Sequence, residues 1–213
     1  MAHELRNPLN IISMASYSTD PETKKHIQTQ LARADRLIQD MLIYSGGLSI
    51  QCAPVPVAPM VQMLISQMDW TNIDCQTELP AELTVFADPH RVQQVLVNLL
   101  DNASVFLRNS KNSRLLITGE QDESRSQVVI RIHNNGPSLD ESLDQEALFR
   151  PFVSKRPGGS GLGLAIVRRI MDAHGGRVKY RHDLGWPVTF ELVFPETGLP
   201  DPHILVNQPI GKC

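Results

Sequence analysis

Between residues 27 and 45, apolar side chains recur at a spacing that suits a helix. Ile27, Leu31, Ala34, Ile38, Met41 and Ser45 stand 4, 3, 4, 3 and 4 residues apart, which is a heptad seam. Leu37 and Leu42 widen it. The spacing predicts one long amphipathic helix over residues 22–45. A shorter version, Leu5, Leu9, Ile12 and Ser16, runs through residues 3–17. The intervening "STDPET" holds an Asp-Pro step and suits a turn between antiparallel helices. Two helices with narrow apolar stripes bury little alone, whereas a pair of hairpins buries both stripes. The pattern therefore predicts a dimeric four-helix bundle. At about 1.5 Å of rise per residue, the second helix overhangs the first by roughly 10–15 Å. The first helix is thus expected to continue upstream, in a longer protein of which this chain is the C-terminal part.

The 213 residues leave room for one ordinary domain beyond the hairpin. With 41% hydrophobic and 20% charged residues, most of the chain should fold. A net charge of −3 without a basic block excludes the electrostatic footprint of a nucleic-acid binder. No apolar run is long enough to span a bilayer, and no signal peptide is present. Cys52, Cys75 and Cys213 are scattered without a CxxC pair. They make neither a disulfide framework nor a zinc site, and they fit a reducing, cytoplasmic location.

Residues 45–59, "SGGLSIQCAPVPVAP", end the helix at Gly46-Gly47 and read as a linker. The composition then changes. "VQMLISQM" (61–68) reads as a helix, and "IDCQTEL" (73–79) and "LTVFA" (83–87) as strands. Asp88-Pro89 is a helix cap followed by proline at the first helical position, opening a helix through residue 107. "RLLITGE" and "QVVIRIH" pair as strands, "LGLAIVRRIMDAHGG" is a helix closed by glycines, and "RVKYRHD" and "PVTFELVF" are strands again. Paired strands alternating with helices imply an α+β class with a mixed sheet. The expected division is a hairpin over 1–48, a second domain over 49–198 and a flexible tail over 199–213.

Three constellations carry chemistry. His3 lies on the side of its helix opposite Leu5, Leu9 and Ile12, with Asn7 one turn on and Glu4 beside it. An exposed histidine is most often a solvated surface residue. A neutral imidazole whose one ring N–H is held by a carboxylate is also a competent nucleophile. In helix 89–107, Asn98 and Asn102 lie four apart at the edge of the apolar face. Asparagine is a poor helix former, and its amide oxygen suits Mg²⁺. Finally, "NNGPS" (134–138) turns sharply after a strand, and "GGSGLGL" (158–164) opens a helix, where backbone N–H groups favour an anion. The second stretch is neither a Walker loop nor a dinucleotide fingerprint, because its spacing and flanks differ from both. His133, His174 and His182 look like ordinary strand or helix-end residues.

Taken in order, these pieces resemble the core of a sensor histidine kinase of two-component signalling. "HELRNP" (3–8) is similar to its phosphoacceptor box and "NLLDNA" (98–103) to its asparagine box. "NNGPS" and "GGSGLGLAIVRRI" resemble its two glycine boxes, and "LFRPF" (148–152) its phenylalanine box. "RNPL" and "PFVSKRPGGSGLGL" are most similar to the nitrogen-regulation-like branch. The resemblance implies a dimerisation and histidine-phosphotransfer hairpin joined to an α/β sandwich that binds ATP under a lid. It implies autophosphorylation of His3 from Mg-ATP and transfer to an aspartate on the receiver domain of a response regulator. Asn102 is expected to ligate Mg²⁺, and Asn98 to help hold metal and phosphates. Asn134 and Gly136 are expected near adenine, and Gly159, Gly161, Leu162 and Gly163 around the phosphates. Phe149 and Phe152 are expected to anchor the lid, with Lys155 near the phosphates. Glu4 and Asn7 fit the Glu-x-x-Asn pattern tied to orienting a base or water, which implies phosphatase activity toward the regulator. A sensor region, and any inner-membrane anchor, are expected upstream.

The sequence departs from the family pattern at Asn134, where an aspartate accepts from the adenine amino group. An asparagine oxygen accepts without charge assistance, which lowers the expected ATP affinity by about 1 kcal/mol or more. Ser138 replaces a glycine and Val105 a basic residue. Two other readings compete: a degenerate dimeric scaffold that binds nucleotide poorly, supported by Asn134, and an ATPase of the same superfamily. The latter conflicts with Asn98, whose amide cannot serve as a general base for water.

Overall fold

The computed structural model describes residues 48–108, 110, 112–138, 145–153, 160–182 and 184–196, together with isolated positions between 20 and 41. The described positions from 22 to 41 are helical, and Asp20 accepts from the Thr23 backbone N–H at 3.0 Å, as a helix cap does. The remainder of the expected hairpin lies outside the described residues.

The second domain begins with strand β1 (Ala53–Pro56) and helix α1 (Val57–Gln67). Strands β2 (Ile73–Glu78) and β3 (Thr84–Ala87) lead to helix α2 (Pro89–Leu107). Strands β4 (Ser113–Asp122) and β5 (Gln127–Asn134) follow. A short helix α3 (Gln145–Leu148), helix α4 (Gly163–Ala173) and strands β6 (Arg177–Arg181) and β7 (Val188–Pro195) complete the fold. Five strands form a mixed sheet in the order β2-β4-β5-β7-β6, with β2 and β4 parallel and the other neighbours antiparallel.

Period-two alternation divides the sheet's faces. Leu115 and Ile117, Val128, Ile130 and Ile132, and Phe190, Leu192 and Phe194 join one core with the helices. The opposite face carries cross-strand polar pairs. Arg131 stands opposite Glu191 and donates to it at 2.8 Å, and the His133 ring meets the Thr189 hydroxyl at 2.8 Å. In α2, Val92, Val95, Leu96, Leu99, Leu100, Ala103 and Leu107 are buried, which is the apolar face expected from the sequence.

The linker reading of 45–59 is corrected at its end. Residues 53–56 form β1, which pairs antiparallel with β3 alone, and α1 starts at Val57 rather than 61. Pro54 and Pro56 lack N–H donors, so they suit only a lightly paired edge strand. Both are exposed while Val55 between them is buried.

The start of α2 is tied down twice over. The Asp88 carboxylate accepts from the backbone N–H groups of His90 and Arg91 at 3.0 and 3.2 Å and from that of Gln51 at 2.9 Å. Burial pushes this carboxyl up, but those N–H groups outweigh it and hold the pKa below its usual range. The Asp88 backbone N–H in turn donates to His174 Nε2 at 3.0 Å. Because Nε2 accepts, the proton must be on Nδ1, which donates to the Ile170 carbonyl at 2.7 Å. His174 is therefore a buried, neutral link between the end of α4 and the start of α2, a role the sequence did not suggest.

Burial lowers the His174 pKa below its ordinary 6.5. The unfolded chain then takes up a proton that the folded chain refuses. Stability is full above that ordinary value and falls as the pH drops below it toward the folded pKa. Urea titrations at about pH 7.5 and 5.5 should show this loss. His174→Leu should cost about 1–3 kcal/mol at the higher pH, because it leaves the Asp88 N–H unpartnered. The variant should also flatten the pH dependence, with buried His133, shifted in the same direction, supplying the slope that remains.

Candidate functional site

The polar edge of α2 meets the start of α4. A Cβ placed on Gly163, the first residue of α4, would lie 3.6 Å from Asn98 Oδ1. Asn98 Nδ2 is fully buried and, among the described residues, is the only buried side-chain nitrogen or oxygen without a hydrogen-bond partner. A sealed donor without an acceptor costs about 1–3 kcal/mol, so this amide is arranged for something other than the stability of the isolated fold. Asn102 lies one turn further along the same edge, half-buried. No side chain caps α4, so its first backbone N–H groups and dipole remain suited to an anion.

The turn before α4 is locked to the segment after α3. The Phe152 N–H donates to the Gly161 carbonyl at 2.9 Å. Gly161 has a φ of +67°, and a Cβ there would stand 2.6 Å from the Phe152 carbonyl carbon. Only glycine fits on both counts. Leu162 is completely buried, and its N–H donates to Ser160 Oγ at 3.3 Å. Phe149 is buried in the core, whereas the Phe152 ring is 46% exposed. Arg168 reaches Glu146 at 3.2 Å and ties α3 to α4.

The other end of the edge is built around Asn134. This residue ends β5, is 3% exposed, and its Oδ1 accepts from the Gly136 N–H at 3.0 Å. A Cβ on Gly136 would lie 2.9 Å from that oxygen and 3.5 Å from Phe106 Cβ. A larger residue there would have to displace the Asn134 amide. The Asn134 oxygen, expected near adenine, is thus also engaged by its own turn. The signal was present as N-x-G, a sequence in which an asparagine commonly bonds the backbone two residues on.

The structure thus brings Asn98 against Gly163, which follows Gly161 and Leu162, with Asn102 one turn further along α2, and brings Asn134 against Gly136. His3, Glu4, Asn7, Lys155 and Gly159 lie outside the described residues. Sequence reasoning missed Ser160 and the floor that Phe106 and Leu107 make under Gly136. No group of three or more His, Cys, Asp or Glu side chains able to hold a metal occurs among the described residues. A metal here would have to rest on amide oxygens and on its ligand's own oxygens, as a hard ion accepts.

Residues 87–198 match the family described as "Histidine kinase-, DNA gyrase B-, and HSP90-like ATPase". The chain is 30% identical over 208 residues to the signal transduction histidine-protein kinase AtoS of Escherichia coli (strain K12), covering 92% of this chain and 34% of AtoS. It is 31% identical over 206 residues to the sensory histidine kinase/phosphatase NtrB of Escherichia coli O157:H7, covering 88% of this chain and 57% of NtrB. The chain therefore spans about a third to a little over half the length of these relatives. Among solved structures, histidine kinase ThkA in complex with response regulator protein TrrA superposes with a TM-score of 0.68 at 31% identity, covering 92% of this chain and 60% of ThkA.

Removing the unpartnered amide should stabilise the ligand-free chain. Asn98→Ala deletes a stranded donor and improves helix propensity. The urea midpoint should rise at unchanged slope, by an amount equivalent to about 1 kcal/mol. A midpoint that falls would mean that the amide is satisfied in solution.

Proposed function

Because the chain belongs to the histidine kinase-, DNA gyrase B- and HSP90-like ATPase family, we propose that it is the phosphotransfer core of a two-component sensor kinase. It takes the γ-phosphoryl group of Mg-ATP onto His3 and passes it to an aspartate of a response regulator. The observation that carries this reading is the stranded Asn98 amide facing the uncapped start of α4. The Asn98 side-chain carbonyl oxygen stands against Gly163, beside the uncapped backbone N–H groups that suit phosphate oxygens. Asn98 would help to hold the metal and phosphates through its oxygen, and Gly161 and Gly163 let the chain approach them. Mg²⁺, held through Asn102 Oδ1 and phosphate oxygens, would neutralise charge on the transferring group.

The nucleophile is proposed to come from the hairpin. A His3 ring nitrogen forms the bond to the γ-phosphorus as the bond to the bridging oxygen breaks and ADP leaves. Glu4 holds the other ring nitrogen's proton. A later attack by the regulator's aspartate returns the imidazole. Asn98 cannot activate water, which favours transfer over hydrolysis. Residues 1–48 form the phosphotransfer unit and 49–198 the ATP-binding unit in this scheme. Dimerisation is supported by Leu31 and Ile38, seam positions that are 49% and 47% exposed in the single chain. No helix among the described residues is long and apolar enough to cross a membrane. The competing scaffold reading draws on Asn134, whose oxygen is occupied.

Calorimetric titration with Mg-ATP should give saturable binding that Asn102→Ala weakens at least about tenfold, or ~1.4 kcal/mol. With labelled ATP, the intact chain should acquire an acid-labile phosphoryl group. His3→Gln should abolish this label and leave nucleotide binding in place. Absence of binding by the folded chain would favour the scaffold, and label retained in His3→Gln would remove His3 as the acceptor.

A further inference from the structure

The geometry points to Asn134 as a residue that reads the base by donating a hydrogen bond, so that the site accepts a 6-oxopurine triphosphate at least as well as ATP. This inference rests on the nucleotide-site reading above and concerns the end of that site away from the phosphates.

The orientation of the Asn134 amide is fixed by its neighbour. A backbone N–H can only donate, so the atom 3.0 Å from the Gly136 nitrogen must be the oxygen. That oxygen also presses on the glycine, lying 2.9 Å from where a Gly136 Cβ would stand. One of that oxygen's two lone pairs is thus taken by the turn. The other face of the amide is Nδ2, which has two N–H donors and no acceptor. Among the described residues nothing accepts from it. It is nonetheless not sealed off as Asn98 Nδ2 is, although Asn134 as a whole is 97% buried by its 3% exposure. The group offered to a ligand here is an NH₂.

Helix α2 serves as a ruler for what that ligand part is. Gly163 lies against Asn98, and Gly136 lies over Phe106 and Leu107. From Asn98 to Phe106 is eight residues, or about 12 Å of helix, a separation suited to the two ends of a nucleoside triphosphate. With phosphates at the α4 start, the base falls at Asn134, between an apolar floor and a buried amide.

Adenine carries an amino donor at its 6-position, whereas guanine and hypoxanthine carry an oxygen acceptor there. An NH₂ of Asn134 against the adenine amino group leaves two donors facing each other. Against a 6-oxo group it makes a hydrogen bond. An aspartate at this position would give one oxygen to the Gly136 N–H and keep the other as an acceptor, which suits adenine. Sites that hydrogen-bond one ligand group reject the analogue that cannot reciprocate. The single change from carboxylate to amide should therefore remove or reverse the preference for adenine. The phosphate end is unaffected, so ATP still binds.

The test uses Mg-ATP and Mg-ITP, which differ only at and beside the 6-position, titrated calorimetrically into the full chain. ITP should bind at least as tightly as ATP. Asn134→Asp should shift the ratio of the two dissociation constants toward ATP by about tenfold or more. Asn134→Ala, which adds no buried charge, covers the case in which the aspartate variant fails to fold, and should bring the two constants together. A native chain that prefers ATP by tenfold or more overturns the inference and leaves the nucleotide site standing. So does a folded Asn134→Asp variant with an unchanged ratio. Binding of neither triphosphate overturns the nucleotide site and the inference with it.

Discussion

The burial of one face of α2 fixes the rest of the site. Seven apolar side chains from Val92 to Leu107 are nearly inaccessible, and removing any large one would cost about 2–5 kcal/mol. That cost fixes the rotation of the helix about its axis. A slip of one residue turns the face by about 100° and would drive Asn98 or Asn102 into the core. The amide edge is therefore positioned by hydrophobic packing rather than by its own hydrogen bonds. This explains how one buried donor can be left unsatisfied without the helix rotating to relieve it.

Helix α4 is held against α2 at two points. Gly163 faces Asn98 at one end, and His174 accepts from the Asp88 N–H at the other. Eleven residues separate Gly163 from His174, and ten separate Asp88 from Asn98. The two helices thus run antiparallel over nearly equal lengths, and the far contact sets where the near one falls. Protonation of His174 would break the bond to Asp88 and free the end of α4. The opposite end of that helix carries the uncapped N–H groups of the site. His174, at the far end of α4, thus helps to set where that helix sits against α2.

Much of this was legible in the sequence, for identifiable reasons. The α2 face, its Asp-Pro cap and the strand pairs follow strong local rules, and they formed where those rules put them. The fold class followed from their order, and the motif set identified the family. Strand β1 was hidden because Pro54 and Pro56 read as linker composition. Only the pairing with β3, some thirty residues on, makes them a strand. His174 was hidden for a similar reason, since its partner, Asp88, is 86 residues away. Asn134 was visible as a departure. Its consequence was not, because the use of Oδ1 by Gly136 is a matter of orientation that residue identity does not carry.

The two ends of the edge use the same functional group in opposite ways. Asn98 keeps its donor buried and free, while Asn134 uses its acceptor locally. Neither is charged. A carboxylate in place of Asn98 would stand by the proposed phosphate end, where Coulomb repulsion in a partly desolvated setting is several-fold larger than in water. An amide avoids that repulsion and gives up general-base capacity. In the proposed scheme such a site would hold a phosphoryl donor without hastening its hydrolysis, and turnover would wait on a separate nucleophile. A neutral imidazole, the role proposed for His3, is nucleophilic near neutral pH without a strong base. The amide edge and the proposed histidine nucleophile are thus chemically complementary. In that scheme the domain alone should keep ATP intact, and the rate of phosphoryl loss should depend on how the histidine is presented to it.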